Sequence, residues 1–230
     1  MSLRWGLCWR AALIGAAALA ATPAAGEISL SQLVVELGSG KGQRSDIEVW
    51  NNAPERAYVV VEPVEVVNPG TPAEQRTAQR DPEKLGLLVS PGRMVLEPGQ
   101  HKLLRVAVAG GPSPRERVYR ITVRPTVGQV SADVSGLKIL IGYEVLVLVR
   151  AGASKPQLVA TRHGRTLTVR NVGATSVELA DGKQCAAKNH CQTLGGKRLY
   201  AGAEWNWTLP GEGPADFMVM GPSGNARQSF

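Results

Sequence analysis

The segment Leu137-Lys-Ile-Leu-Ile-Gly-Tyr-Glu-Val-Leu-Val-Leu-Val-Arg150 keeps a period of two along its whole length. Successive side chains of a strand point to opposite faces. One face therefore carries Leu137, Ile139, Ile141, Tyr143, Val145, Val147 and Val149, and is apolar without interruption. The other carries Lys138, Leu140, Gly142, Glu144, Leu146, Leu148 and Arg150. Strands more often run about five or six residues. Two readings of this row stand side by side. It is a core strand buried on one side, or an edge strand that offers its backbone and apolar row to another protein. An edge of that kind is an aggregation hazard unless a partner covers it.

The same rhythm extends outward from this segment. Ile28 to Leu37, Asp46 to Asn51, Ala57 to Val67, Leu87 to Ser90, Arg93 to Leu96, His101 to Val108 and Val118 to Arg124 all read as strands. Gly, Pro and Asn clusters such as Asn68-Pro69-Gly70 separate them, the expected punctuation of strands. No stretch sustains a helical period. The polar region from Thr71 to Leu85 has room for a short helical turn but reads better as an excursion loop. Ala151-Gly-Ala-Ser-Lys-Pro156 reads as a linker, and strand-like segments restart after it, from Gln157 to Met220. The expected fold is all-β, with a sandwich over residues 26–150 and a smaller β-domain over 151–230.

Composition agrees with a folded chain. Of 230 residues, 43% are hydrophobic and 20% charged, and 26 Gly and 15 Pro are spread throughout, which argues against wholesale disorder. The net charge of +7 is scattered, with no basic run, so no nucleic acid partner is expected. Residues 1–25 read as a secretory signal peptide: Arg4 and Arg10, then an apolar stretch from Ala11 to Ala21, then Thr22-Pro23-Ala24-Ala25. That apolar stretch is too short to span a bilayer, which takes about 20 residues, so stable membrane insertion is not expected. Its removal takes two arginines and no acid, so +7 becomes +5. Cys8 leaves with it. Cys185 and Cys191 remain, and in an exported chain the simplest reading is one disulfide closing a short loop. Zinc is the rival, with His163 and His190 as further ligands, although neither sits at finger spacing.

Catalytic motifs are absent from the sequence. Gly38-Ser39-Gly40-Lys41 resembles the tail of a phosphate loop, but Val35 and Gly42 stand where that loop needs Gly and Ser or Thr. There is no Gly-x-Ser-x-Gly. His101, His163 and His190 have no nucleophile beside them. Glu62 and Glu65 lie on opposite faces of a strand. Neither an enzyme nor a cofactor is expected.

Four local patterns carry a family resemblance. Val66-Val-Asn-Pro-Gly-Thr71 leads to Gly86-Leu-Leu-Val-Ser-Pro91. Val95-Leu-Glu-Pro-Gly99 precedes Leu104-Arg105-Val106. Glu116-Arg-Val-Tyr-Arg-Ile121 follows. Leu167-Thr-Val-Arg-Asn-Val-Gly173 comes last, with the Cys pair beyond it. In this order they resemble the periplasmic pilus-assembly chaperones of chaperone–usher systems, the alternate branch more than the main one. The resemblance implies two immunoglobulin-like domains in a boomerang with a cleft between them. It implies a periplasmic protein that lends a strand to a pilus subunit lacking its own last strand, then passes the subunit to an outer-membrane usher. Leu137, Ile139, Ile141 and Tyr143 are the implied donor residues.

The main branch anchors the subunit's C-terminal carboxylate with an Arg on the first strand and a Lys on the donor strand. Here Gln32-Leu-Val-Val35 holds no Arg, and the donor-strand position falls at Leu146. A buried charge without a partner is costly, so another cation is needed. Arg120 is the expected substitute and Arg124 the second choice. Arg105 and Arg150 read as structural, pairing with acids where the domains meet. The alternative to a chaperone is an exported two-domain β-sandwich adhesion or pilus structural protein.

Overall fold

The computed structural model describes residues 28–38, 40, 43–126, 139–152, 155–187 and 190–230. The expected leader and Leu137 lie outside the described residues. The first part of the chain holds β1 (Ile28–Leu30), β2 (Val34–Leu37), β3 (Arg44–Asn51), β4 (Ala57–Val67) and β5 (Gln75–Ala78). Then come α1 (Pro82–Leu85), β6 (Leu87–Ser90), β7 (Arg93–Leu96), β8 (His101–Val108), β9 (Arg117–Thr126) and β10 (Tyr143–Val149). The second part holds β11 (Leu158–His163), β12 (Thr166–Asn171), β13 (Val177–Ala187) and β14 (His190–Leu194). It ends with β15 (Lys197–Leu199), β16 (Glu204–Thr208), β17 (Ala215–Gly221) and β18 (Gly224–Ser229).

These strands form an all-β, two-domain fold. One sheet runs β1-β3-β8-β6; the sheet facing it runs β2-β10-β9-β4-β5, with β7 also on β4. Alternation decides what lies between them. Ile47 and Val49 of β3, Leu104 and Val106 of β8, Tyr119, Ile121 and Val123 of β9, and Val145 and Val147 of β10 are all buried in one core. Each such side chain stabilises the fold by about 1.5–3 kcal/mol. The second domain packs β11-β12-β16 against β14-β13-β17-β18 around Leu167, Leu179, Leu199, Trp207 and Phe217.

A buried asparagine fastens a corresponding turn in each domain. Asn51 Nδ2 donates to the carbonyls of Glu55 (2.7 Å) and Leu96 (3.0 Å), while Oδ1 accepts from Ala53 N. Asn171 Nδ2 donates to the carbonyls of Thr175 (2.8 Å) and Leu199 (3.0 Å), while Oδ1 accepts from Gly173 N. Both amides satisfy backbone groups that the turn would otherwise bury unpaired.

Three expectations are corrected. The excursion from Thr71 to Leu85 contains strand β5 and the one-turn helix α1. Strand β5 is exposed along its whole length, so no hydrophobic period marks it. Its place follows from β4: β7 pairs with Ala57–Val60 and β5 with Val64–Val67. Pro63 sits in the gap between them, where its missing N–H removes no ladder bond on that side. Helix α1 is capped by Asp81, whose carboxylate accepts from Glu83 N, and ends at Gly86 with φ 77°. A Cβ at Gly86 would fall 1.9 Å from Arg117 Nη1, so any side chain there must displace that guanidinium from Glu65 as well as adopt a left-handed backbone.

The second correction concerns the long strand. β10 begins at Tyr143, and Ile139 to Gly142 carry no strand structure. Beyond Tyr143↔Val123, strand β9 pairs with β4 alone, and β2 reaches only to Leu146. A strand needs a ladder partner, and among the described residues the alternating sequence outruns its partners by four residues. The third concerns the cysteines. Their segment is the β13–β14 hairpin rather than a loop, with Cys185 opposite Cys191.

Candidate functional site

Strand β10 is buried on both faces from Val145 to Val149, and from Leu146 onward it lies between β2 and β9. Val145, Val147 and Val149 enter the first core. Leu146 and Leu148 join Val66, Val118, Tyr200 and Ala203 in a cluster between the domains. From Tyr143 to Val145 the strand keeps β9 on one side and has no paired strand on the other among the described residues. Tyr143 is half-buried, and its hydroxyl donates to the Ile28 carbonyl at 2.9 Å. Ile139 is 74% exposed and Ile141 53%. The apolar row thus leaves the core at Val145 and continues into solvent. Val34, the first residue of β2, and Leu33 just before it are also exposed.

Register places the arginines. Arg120 lies opposite Leu146 on β10 and opposite Val64 on β4. It shares the outer face of its sheet with Val118, Leu146 and Leu148, which pack against the second domain. Its Nε is 3.8 Å from Glu144 Oε2, and its side chain is 29% exposed. Burial pushes the Tyr200 hydroxyl pKa up, and the nearby Arg120 and Arg198 charges oppose that shift. Arg120 therefore lies near Tyr200, at the margin of the cluster between the domains. Arg124 lies further along β9, opposite Val60, and pairs with Glu62 at 3.4 Å. It is nearly half exposed and further from the domain junction.

Sequence reasoning missed Arg76 and Glu144 on this face. Arg76 Nη1 donates to Glu144 Oε1 at 2.5 Å, and that bond raises the arginine's pKa. The pair spans 68 positions of sequence, so no local pattern announces it.

Arg150 is structural and joins the domains. It donates to Glu116 Oε2 (2.5 Å), to Glu36 Oε1 (2.7 Å), to Thr175 Oγ1 and to the Ser176 carbonyl. Glu116 Oε2 also accepts from Thr175 Oγ1 and Ser176 N. Arg105 is a correction. It forms a two-bond pair with Asp46 within the first domain, on the outer face of β3 and β8, not at the junction. Asp46 is held below the usual carboxylate range by that hydrogen bond. Cys185 and Cys191 are disulfide-bonded. Among the described residues no three His, Cys, Asp or Glu gather as a metal site, and no helix is long and apolar enough to cross a membrane.

No family model matches the sequence, and no curated protein matches it. Solved structures do match. The class 5 fimbriae chaperone CfaA superposes with a TM-score of 0.66 at 17% identity, over 88% of this chain and 98% of that one. This chain has the fold of the fimbrial chaperones. The Salmonella enterica complex of the SafA pilin with the SafB chaperone gives 0.63 at 20% identity, over 90% and 96% of the two chains. The complex of CsuC with the tip adhesion subunit CsuE, from the archaic chaperone–usher Csu pili of Acinetobacter baumannii, gives 0.57 at 11% identity, over 88% and 96%. Fold likeness to these fimbrial chaperones covers both domains of the chain.

Proposed function

We propose that the protein is a periplasmic chaperone of pilus assembly, which caps a subunit by donating a β-strand and delivers it to an outer-membrane usher. The observation that carries the reading is the free end of β10. Ile139 and Ile141 continue the core row of Val145 and Val147 into solvent, next to a stretch of strand with one side unpaired. An extended chain added there gains backbone hydrogen bonds, and the exposed side chains fill pockets in it. Leu137, Ile139 and Ile141 are the donor residues. Tyr143 stands at the hinge between donor and core, since its hydroxyl is already engaged by Ile28.

Arg120 is the anchor for the subunit's terminal carboxylate. It is presented beside Leu146, on the face that borders the domain junction. A guanidinium meets both carboxylate oxygens in a planar fork. The named SafB and CsuC complexes, each a chaperone with a pilus subunit, support the same kind of partner here. Arg124 is less suited because Glu62 occupies it and it lies further from the junction. The leader-like residues 1–25 support export. Affinity purification from a periplasmic extract tests the reading. A chaperone retains one distinct subunit at an equal molar ratio. Recovery of the protein alone, or in a self-assembled fibre, overturns it in favour of a structural or adhesive role.

A further inference from the structure

Glu144 projects from β10 on the same face as Leu146. Its Oε1 is 2.5 Å from Arg76 Nη1, and its Oε2 is 3.5 Å from Arg76 Nη2. The same Oε2 is 3.8 Å from Arg120 Nε. Arg76 belongs to β5 at the far edge of the sheet, so its side chain lies across the strands between. All three groups stay open to solvent, at 51% for Arg76, 38% for Glu144 and 29% for Arg120. Of the other charges nearby, Glu62 pairs with Arg124 and Glu178 with Arg198, while Glu74, whose Oε2 accepts from Gly70 N, also acts on Arg76. Two guanidiniums thus share the single Glu144 carboxylate.

We propose that Glu144 is an internal counter-ion, standing where a partner's terminal carboxylate docks, and that Arg76 is the second cation of that site. This rests on the reading of Arg120 as the anchor. The two arginines repel each other, and Glu144 holds them together on one face while the site is empty. An arriving carboxylate competes with Glu144 for the same donors. The donor strand therefore carries its own competitor, placed four residues beyond Leu140 and directly before the buried row. Docking is an exchange of carboxylates, in which an occupant with a free C-terminus outbids the internal one only when strand pairing adds to it.

The test uses the full mature chain and two probes. One is an N-acetyl peptide of alternating Val and Thr with a free C-terminal carboxylate; the other is the same peptide as its C-terminal amide. The measured quantity is the ratio of the two affinities, by titration calorimetry, with melting curves to verify folding. Glu144→Gln is expected to raise the preference for the acid about threefold or more, because a competing charge is gone. Arg76→Gln is expected to lower it by a similar factor. Glu144→Asp, which keeps the charge on a shorter arm, falls between Glu144→Gln and the unmodified protein. An acid preference that is the same in all four proteins overturns the counter-ion proposal and leaves the anchor reading standing. A weaker preference in Glu144→Gln also overturns it. No acid preference in any of them overturns the anchor reading itself, and the proposal with it.

Discussion

Arg120 and Leu146 face each other across the antiparallel ladder of β9 and β10. On the proposed reading, Leu146 stands where the main branch of the resembled family carries its cleft lysine, and Arg120 on the next strand supplies the cation instead, one strand sideways on the same face. A planar, permanently charged guanidinium replaces a point charge on a flexible stem.

Removal of that cation leaves a bound carboxylate unpaired. Arg120→Ala is therefore expected to weaken subunit binding by about 2–5 kcal/mol. Its own ion pair with Glu144 is long and partly exposed, so the melting temperature of the free protein should stay within a degree or two of the original, by the small worth of such pairs. Binding titrations and thermal melts check both halves. Unimpaired binding rejects the anchor, and a variant that cannot fold reassigns Arg120 to structure.

The junction between the domains depends on Arg150 and Glu116. Their side chains are only 11% and 1% exposed. Breaking a buried pair from one side strands the other charge and costs about 3–5 kcal/mol. Arg150→Ala should lower stability by that order in urea titrations and broaden the distribution of interdomain angles in solution scattering. An unchanged midpoint together with an unchanged scattering curve contradicts this.

Asn171 is buried and engaged on both ends of its amide. Asn171→Ala removes those bonds and leaves two backbone carbonyls with fewer donors, for a loss of about 2–4 kcal/mol. Asn51→Ala should have a similar effect in the first domain. Denaturant midpoints measured for each variant check the prediction.

The disulfide between Cys185 and Cys191 links two facing positions of a hairpin. Five residues separate them in sequence, so the entropic gain is modest, about 2–3 kcal/mol. Replacing both by Ser should lower stability by that amount. The unreduced protein should also weigh less than its reduced form by the two thiol hydrogens. A mass that does not change on reduction rules the bond out.

Much of this architecture is legible in alternation. The buried row of Val145 and Val147, the strands around Ile47, Leu104 and Ile121, and those around Leu167, Leu179 and Phe217 all have an apolar face, and burial follows from that. What the sequence conceals are elements with no buried face. Strands β5 and β18 are exposed at every position, so they carry no period, and only their ladders with β4 and β17 define them. The end of β10 is concealed for the opposite reason. Its pattern runs on through Ile141 and Ile139 although the neighbouring strands have stopped. The proposed anchor is half legible: the place of Arg120 beside Leu146 follows from strand order, whereas Arg76 and Glu144 meet only because β5 folds back beside β4.

The most direct measurement is the yield of chaperone–subunit complex from the periplasm for Ile139→Asp and Ile141→Asp beside the original protein. Both side chains are exposed in the free chain, so neither change should disturb folding. In a complex each places a charge in an apolar pocket, at a cost of several kcal/mol if it stays unpaired, on the order of 2–7 kcal/mol for a buried polar group alone. Both variants are expected to accumulate as folded protein and to recover no subunit. Recovery of subunit at the original yield from both would contradict strand donation by this face.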